Sequence, residues 1–270
     1  MHWIIQSNVS NEANYPRLLE ELHRLGIKHS VHQLIPFTSE LHPTPKVVDN
    51  KVLCIGSYSL QRVALANCWT PGIYSISHVT HKEMLTRWPG RMLNHGIQAA
   101  FADVPEHMHG MQEFFLRPAT DEKIFAGKII SKEEFDRWHD AIVRNGEDYG
   151  NGLTPTTEVF ISPVKTVNSE FRTWIVNGKV ITASSYKLQG KYNPNLHVDE
   201  SIINFAEECA NLWSPHKAYC LDICKTPEGL KIVEPNTINC AGYYNADVGK
   251  LVSALEALEQ RIEQIPEIEL

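Results

Sequence analysis

The chain has 270 residues and a mass of 30.6 kDa, with 43% hydrophobic and 21% charged residues. Its 25 Lys and Arg against 32 Asp and Glu give a net charge of −7 and an isoelectric point near 6.0. This balance excludes a protein that coats nucleic acid or docks on anionic lipid through a basic field. Disordered and fibrous classes are excluded by composition, and a chain this long buries a core without disulfide or metal staples.

The first 75 residues alternate strands and helices. Trp3-Ile4-Ile5-Gln6 reads as a strand, Leu18, Leu19, Leu22 and Leu25 recur at helical spacing, and Gly26 supplies the stop. Ile27 to Leu34 and Val52 to Ile55 are two more strands, and Gly56-Ser57 leads into a helix carrying Leu60, Val63 and Ala64. This is the pattern of a small α/β lobe over residues 1–76. A second lobe follows over 77–155, with a break at Pro89-Gly90, strands at Glu113 to Pro118 and from Ile129, and a helix from Lys132 to Val143. The Gly- and Asn-rich run Asn145 to Pro155 marks a boundary. The third lobe, 156–270, holds strands, a helix from Ser201 to Trp213, a hairpin and a terminal helix from Asp247.

Neither a signal peptide nor a membrane-spanning apolar run of about 18 residues is present. The six cysteines, at 54, 68, 209, 220, 224 and 240, are too scattered for a disulfide framework. Both features suit a reducing cytoplasm, and Cys220 and Cys224 read as buried free thiols rather than zinc ligands. The six tryptophans read as core or lobe-contact aromatics, and the pairs His78/His81 and His107/His109 as surface or loop residues.

Two hairpins place chemistry in the third lobe. Asn177-Gly178 is a strong two-residue turn signal. Carried outward without interruption, its register opposes Trp174 to Ile181, Arg172 to Ala183 and Glu170 to Ser185, and gathers Glu170, Arg172 and Lys187 at one end of one face. The second hairpin joins Tyr219–Lys225 to Leu230–Asn236. A three-residue loop, Pro227-Glu228-Gly229, sets Asp222 opposite Glu234 with Asn236 on the same face; a four-residue loop would send the two acids to opposite faces. Opposed carboxylates about 5 Å apart repel unless one is protonated or a hard cation neutralises both. Three oxygen donors without thiolate or imidazole suit Mg²⁺ or Mn²⁺.

Upstream, Phe114 to Ile130 reads as a strand, a polar loop and a strand, with Arg117, Lys123 and Lys128 bracketing the loop and Gly127 allowing close backbone approach. It is not a Walker loop. Cations for phosphates and carboxylates for Mg²⁺ are the two halves of a nucleoside triphosphate site.

In this order the segments FLRP, DEKIFAGK, TEVFISPV, SEFRTWIVNGKVITASSYK and LDICKTPEGLKIVEPNTINCAGYY resemble the ATP-grasp superfamily over roughly residues 80–255. The resemblance implies an α+β, α/β ATP-grasp fold, with an N-terminal α/β lobe and two α+β lobes clasping ATP. It implies Asp222, Glu234 and Asn236 as Mg²⁺ ligands and Glu170 as the ribose contact. Arg117, with Lys82, Lys123, Lys128 and Lys187, would hold phosphates, and the strand end at Ile161 and Ser162 would read the base. Arg172, Asn239, Ala241 and Gly242 would border the reacting group. The sequence departs from the family pattern in carrying Arg117 where lysine is common, and Cys220 where an arginine often precedes the aspartate, a role Arg172 could fill.

The implied activity is ADP-forming ligation of a small-molecule or peptide carboxylate to an amine or thiol through an acyl phosphate, with ATP and Mg²⁺ as cofactors. A kinase acting on a hydroxyl shares the same residues, as does a nucleotide-binding module without chemistry. A glycosidase using Asp222 and Glu234 as its acid pair leaves the upstream cations without a task. A homodimer is left open.

Overall fold

The computed structural model describes residues 1–9, 15–108, 110–119, 124–147 and 152–262, without the side chains of 261 and 262. The first sheet comprises β1 (His2–Gln6), β2 (His29–Leu34), β3 (Leu41–His42), β4 (Lys51–Ile55) and β5 (Thr70–Gly72) in the order β3-β2-β1-β4-β5. All its pairings are parallel except β2 with β3. Helices α1 (Tyr15–Arg24) and α2 (Leu60–Ala66) belong to this unit. Leu18 and Leu22 on one face of α1 are fully buried, as the periodicity predicts.

After α3 (His81–Arg87), β6 (Ile97–Ala100), α4 (Val104–His107), β7 (Glu113–Pro118), β8 (Lys128–Ser131), α5 (Lys132–His139) and β9 (Glu158–Pro163) follow. Their strands form a small antiparallel sheet in the order β6-β9-β7-β8. The helix expected from Lys132 runs into a π-helical stretch, Asp140–Arg144. Thr80 and Ser131 each accept a bond from the backbone N–H three residues on, so α3 and α5 begin with capped N-termini.

The large sheet contains β10 (Ser169–Val176), β11 (Lys179–Leu188), β12 (Lys191–Tyr192), β13 (Ala218–Thr226) and β14 (Gly229–Asn236) in the order β12-β11-β10-β13-β14. Helices α6 (Glu200–Leu212) and α7 (Val248–Ile262) complete the chain.

The partition at residue 156 differs from what the strands do. β9 lies beyond it yet sits between β6 and β7 in the small sheet. Met84 and Trp88, on the other side of the expected boundary at 77, pack with α6 on the large sheet. Connectivity along the chain does not reveal these crossings, because apolar side chains pack wherever a matching face is available.

Alternation along the central strands sets the polarity of the large sheet. Phe171 and Ile175 on β10, with Tyr219, Leu221 and Ile223 on β13, face the core built with α3 and α6. On the opposite face Trp174, Val176, Ala218 and Cys220 pack with α7 and with Trp3, Leu53 and Ile55 of the first sheet. Farther along that same face stand Arg172, Glu170, Asp222 and Glu234. One end of the face is thus sealed by apolar packing, and the other carries charge.

Asn239, expected beside the reacting group, instead joins the first lobe to the third. Its side chain is 1% exposed; Nδ2 donates to the carbonyls of Cys54 (2.7 Å) and Gly72 (3.5 Å), and Oδ1 accepts from the Tyr74 N–H (2.8 Å). Its own carbonyl accepts from the Gly56 N–H at 3.0 Å. Every polar atom of the amide serves the ends of β4 and β5, which leaves none for a substrate. Asn239→Ala strands those buried groups and is expected to lower unfolding free energy by about 2–3 kcal/mol, read as a lower urea midpoint at unchanged slope.

Candidate active site

The acid pair lies where the sequence sets it, but by another route. The turn of the second hairpin has two central residues, with Thr226 paired to Gly229, rather than three. Ile223 then opposes Ile232, and a bulge at Val233 restores Asp222 opposite Glu234. The shorter turn and the extra residue cancel; without the bulge Asp222 would oppose Val233 and the acids would part. Beside the bulge, the segment at Arg91 to Leu93 clamps Ile232, whose N–H donates to the Arg91 carbonyl (2.7 Å) and whose carbonyl accepts from the Leu93 N–H (2.8 Å).

The first hairpin departs from its expected register twice. Irregularities at Trp174/Ile175 and Glu170/Phe171 oppose Trp174 to Thr182, Arg172 to Ser184 and Glu170 to Lys187. Glu170 and Lys187 therefore become direct partners, with Nζ 3.1 Å from Oε1. Tyr186 donates its hydroxyl to Glu170 Oε2 at 2.7 Å.

Arg172 lies directly across from Asp222 on the neighbouring strand. Its Nε and Nη2 each donate to one carboxylate oxygen at 2.8 Å. The side chains are 10% and 3% exposed. Burial opposes a charged guanidinium, but the Asp222 carboxylate outweighs it and holds the Arg172 pKa well above its ordinary value. The arginine absent from position 220 is thus supplied laterally.

Glu234 is less well served. Its nearest donor is Asn236 Nδ2, 3.5 Å from Oε1, and the same Nδ2 lies 3.2 Å from Asp222 Oδ2. Burial, reinforced by Asp222, pushes the Glu234 carboxyl above its ordinary value, against the pull of Arg117 and Arg172. Two carboxylates and an amide oxygen, reachable by a side-chain flip of Asn236, form an all-oxygen donor set suited to a hard divalent cation. The raised Glu234 pKa marks the charge that such an ion would relieve.

Across from these acids stands Arg117 on β7. Phe114 and Leu116 of that strand point into the core under α5, which leaves Phe115 and Arg117 on the other face. Gly127 packs on this pair: a Cβ there would meet Phe115 Cζ at 2.8 Å and Arg117 Cβ at 3.2 Å. Its missing side chain serves the arginine's placement. A cavity of about 510 Å³ separates the sheets, lined by Asn94, Phe115 and Arg117 on one side and by Glu170, Arg172, Lys187, Asp222 and Glu234 on the other. A smaller pocket on the first-lobe side is bordered by Tyr58, Ile76, His81, Arg117, Glu234 and Asn236. Burial holds the His81 imidazole neutral, with its pKa lowered to about 4.

Other expected residues are not gathered here. Lys128 opposes Leu116, on the helix-covered side, pairing with Glu134 at 2.9 Å and lying over the Trp138 ring. Lys82 is exposed on α3, while its neighbour His81 is the one that lines the pocket. Ile161 is in the small-sheet core between Ile97 and Leu116, and Ser162 is fully buried with its hydroxyl 3.4 Å from Asn94 Oδ1. Ala241 packs at the edge of the core beneath the site, and neither it nor Gly242 lines the cavity. Lys123 lies outside the described residues. The cavity residues missed by sequence reasoning are Asn94, Phe115, Tyr186, Tyr192 and Tyr244; for Tyr186 the signal was present, since it adjoins Lys187 on a strand already assigned to the site.

Two antiparallel sheets closing on a cavity, with an acid pair on one and a cation on the other, define a two-lobed nucleotide clasp. The chain belongs to the ATP-grasp superfamily: the model of an ATP-grasp domain family, the third of its clade, matches residues 61–255. Among solved structures it is similar to D-cycloserine synthetase DcsG, at 16% identity and TM-score 0.63 over 96% of this chain and 99% of that one. It is also similar to a RimK domain ATP-grasp protein from Sphaerobacter thermophilus, at 10% identity and TM-score 0.64 over 94% and 100% of the two chains. The ATP-grasp ligase PsnB, complexed with its minimal precursor, aligns at 14% identity and TM-score 0.59 over 96% and 98%. No curated protein sequence matches the chain. Among the described residues no helix is long and apolar enough to cross a membrane.

Two outcomes follow from the electrostatics. Arg172→Gln leaves Asp222 buried without its counter-charge and is expected to cost about 3–5 kcal/mol of stability, measured by urea unfolding at pH 7. A carboxyl raised on folding contributes stability that is fully present below the ordinary glutamate range and is lost as pH climbs through the raised value. Glu234→Gln escapes that loss. In metal-free buffer this variant is expected to melt a few degrees above the parent at pH 7–8, the gap closing as pH falls below the ordinary glutamate range; calorimetry across pH checks it.

Proposed function

We propose that the chain is an ADP-forming ligase that joins a small-molecule or peptide carboxylate to an amine or thiol. The observation that carries this reading is the juxtaposition of Arg117 on the small sheet with the Asp222–Glu234 pair on the large one, across a shared cavity. A carboxylate oxygen of the substrate attacks the γ-phosphorus of ATP and ADP departs. The amine then attacks the acyl carbon, releasing phosphate and a proton. No covalent protein nucleophile is needed. The cysteines support this division of labour: Cys54, Cys209, Cys220 and Cys224 are buried, and burial pushes the thiol pKa of Cys54, Cys209 and Cys224 up to about 12 and raises that of Cys220 as well.

Asp222, Glu234 and Asn236 would hold Mg²⁺ or Mn²⁺, which supplies charge screening for the triphosphate when bound. Arg172 keeps Asp222 ionised and fixes the plane of its carboxylate through two bonds. Arg117 approaches the phosphates from the opposite sheet, so that closing the lobes brings positive charge onto the transferring group. Glu170, oriented by Tyr186 and Lys187, presents a carboxylate for the ribose hydroxyls. Water is kept from the reacting centre by the apolar floor that Trp174 and Cys220 form at the sealed end of the face.

The test is phosphate release from ATP and Mg²⁺ against a panel of carboxylates with amines or thiols. Carboxylate-dependent ADP and phosphate with a new amide or thioester is the expected result; a phosphorylated acceptor without free phosphate establishes a kinase instead. Glu234→Gln is expected to reduce turnover by at least about 100-fold, and Arg117→Ala by about 10–1,000-fold, with circular dichroism unchanged in both. ADP release at the parent rate in Glu234→Gln removes the metal assignment.

A further inference from the structure

One wall of the cavity has no task in the reaction as proposed. Tyr186 and Tyr244 stack with ring centroids 5.1 Å apart and planes 12° from parallel. Tyr192 stands 6.2 Å from Tyr244, tilted by 50°, and is 68% exposed. All three line the cavity. Tyr244 holds this position with φ at 48°, a left-handed backbone that a bulky residue keeps only where its surroundings demand it.

The corner lies apart from the acids. β12, which carries Tyr192, is four strands from β14, which carries Glu234, or about 19 Å at the usual strand spacing. Between them stands Arg172, its Cζ 5.3 Å from the Tyr244 ring centroid. The guanidinium gives Nε and Nη2 to Asp222, and its Nη1 has no acceptor among the described residues. A ligand with a carboxylate on Nη1 and a flat ring two or three bonds away would fill both features.

We propose that Tyr186, Tyr192 and Tyr244 seat an aromatic side chain of the carboxylate substrate, whose carboxylate is drawn to Arg172. The assignment rests on the ligase reading and deepens it to a substrate class: carboxylic acids, free or at a peptide residue, that carry an aryl group close to the reacting carboxyl. A stacked pair with a third ring set at an angle offers both face and edge contacts. Aromatic rings gain from that geometry and aliphatic groups of equal volume do not.

Hydroxylamine as the nucleophile tests this without knowledge of the natural amine, since it converts an acyl phosphate into a hydroxamate and phosphate. With the full chain, ATP and Mg²⁺, 3-phenylpropionate is expected to show a KM roughly tenfold below that of 3-cyclohexylpropionate. Tyr192→Ala should erase the difference and Tyr192→Phe retain it, with the KM for ATP moving less than about twofold. Line broadening of the 3-phenylpropionate ring resonances by the protein in ADP, lost in Tyr192→Ala, reads the same site without any chemistry. Ring broadening with no hydroxamate from any acid upholds the tyrosine site and overturns the ligase reading. Hydroxamate formed with equal KM from both acids leaves the ligase reading standing and overturns the site. A rise in the KM for ATP in Tyr192→Ala matching that for the acid overturns it too, since the corner then belongs to the nucleotide.

Discussion

The bidentate pair between Arg172 and Asp222 is the contact on which the polar end of the large sheet depends. Both groups are buried, so each would be costly alone; together they satisfy one another in a plane fixed by two short bonds. The pair also sets the state of its neighbours. Asp222 raises the pKa of Glu234, and with its carboxylate held by Arg172 it receives only weaker contacts from Tyr186 at 3.4 Å and Asn236 at 3.2 Å. Glu234 is therefore the acid left facing the cavity with an unmet charge.

The rest of the site is arranged around that imbalance. The same sheet face that buries Trp174 and Cys220 at one end exposes carboxylates at the other, so the apolar end anchors the strands whose polar ends do the proposed chemistry. Arg117 reaches Glu234 from a second sheet, and Gly127 gives it room. The two sheets are tied where the segment at Arg91 to Leu93 bonds to Ile232, next to the bulge that aims Glu234. Asn239 ties the third lobe to the first by a separate set of bonds. These fixed points are what make an arrangement shared by three sheets definite enough to bind a ligand.

Much of this was legible, some of it through an error that cancelled. A three-residue turn and a two-residue turn followed by a bulge place Asp222 and Glu234 opposite each other equally well, because both insert one extra residue on the same strand. The first hairpin had no such compensation: its uninterrupted register placed Arg172 against Ala183, whereas two irregularities move it to Ser184 and bring Lys187 onto Glu170. Bulges respond to packing on both sheet faces, which a turn signal does not encode. The basic loop was read as one unit, yet its strand separates Arg117 from Lys128 by face, since alternation sends neighbouring pairs to opposite sides.

Sequence alone determined the strand and helix content, the alternation that keeps Asp222, Glu234 and Asn236 on one face, and the family pattern that names their chemistry. These are local or nearly local, set by side-chain period and by turns of a few residues. Tertiary structure decided the rest: that Arg172 replaces a missing arginine from the next strand, that Asn239 is spent on the first lobe, that β9 belongs to the small sheet, and that three tyrosines from two segments form one corner. Each of these joins residues tens of positions apart through burial and hydrogen bonding, and no spacing along a single chain records which distant partner will fill a given space.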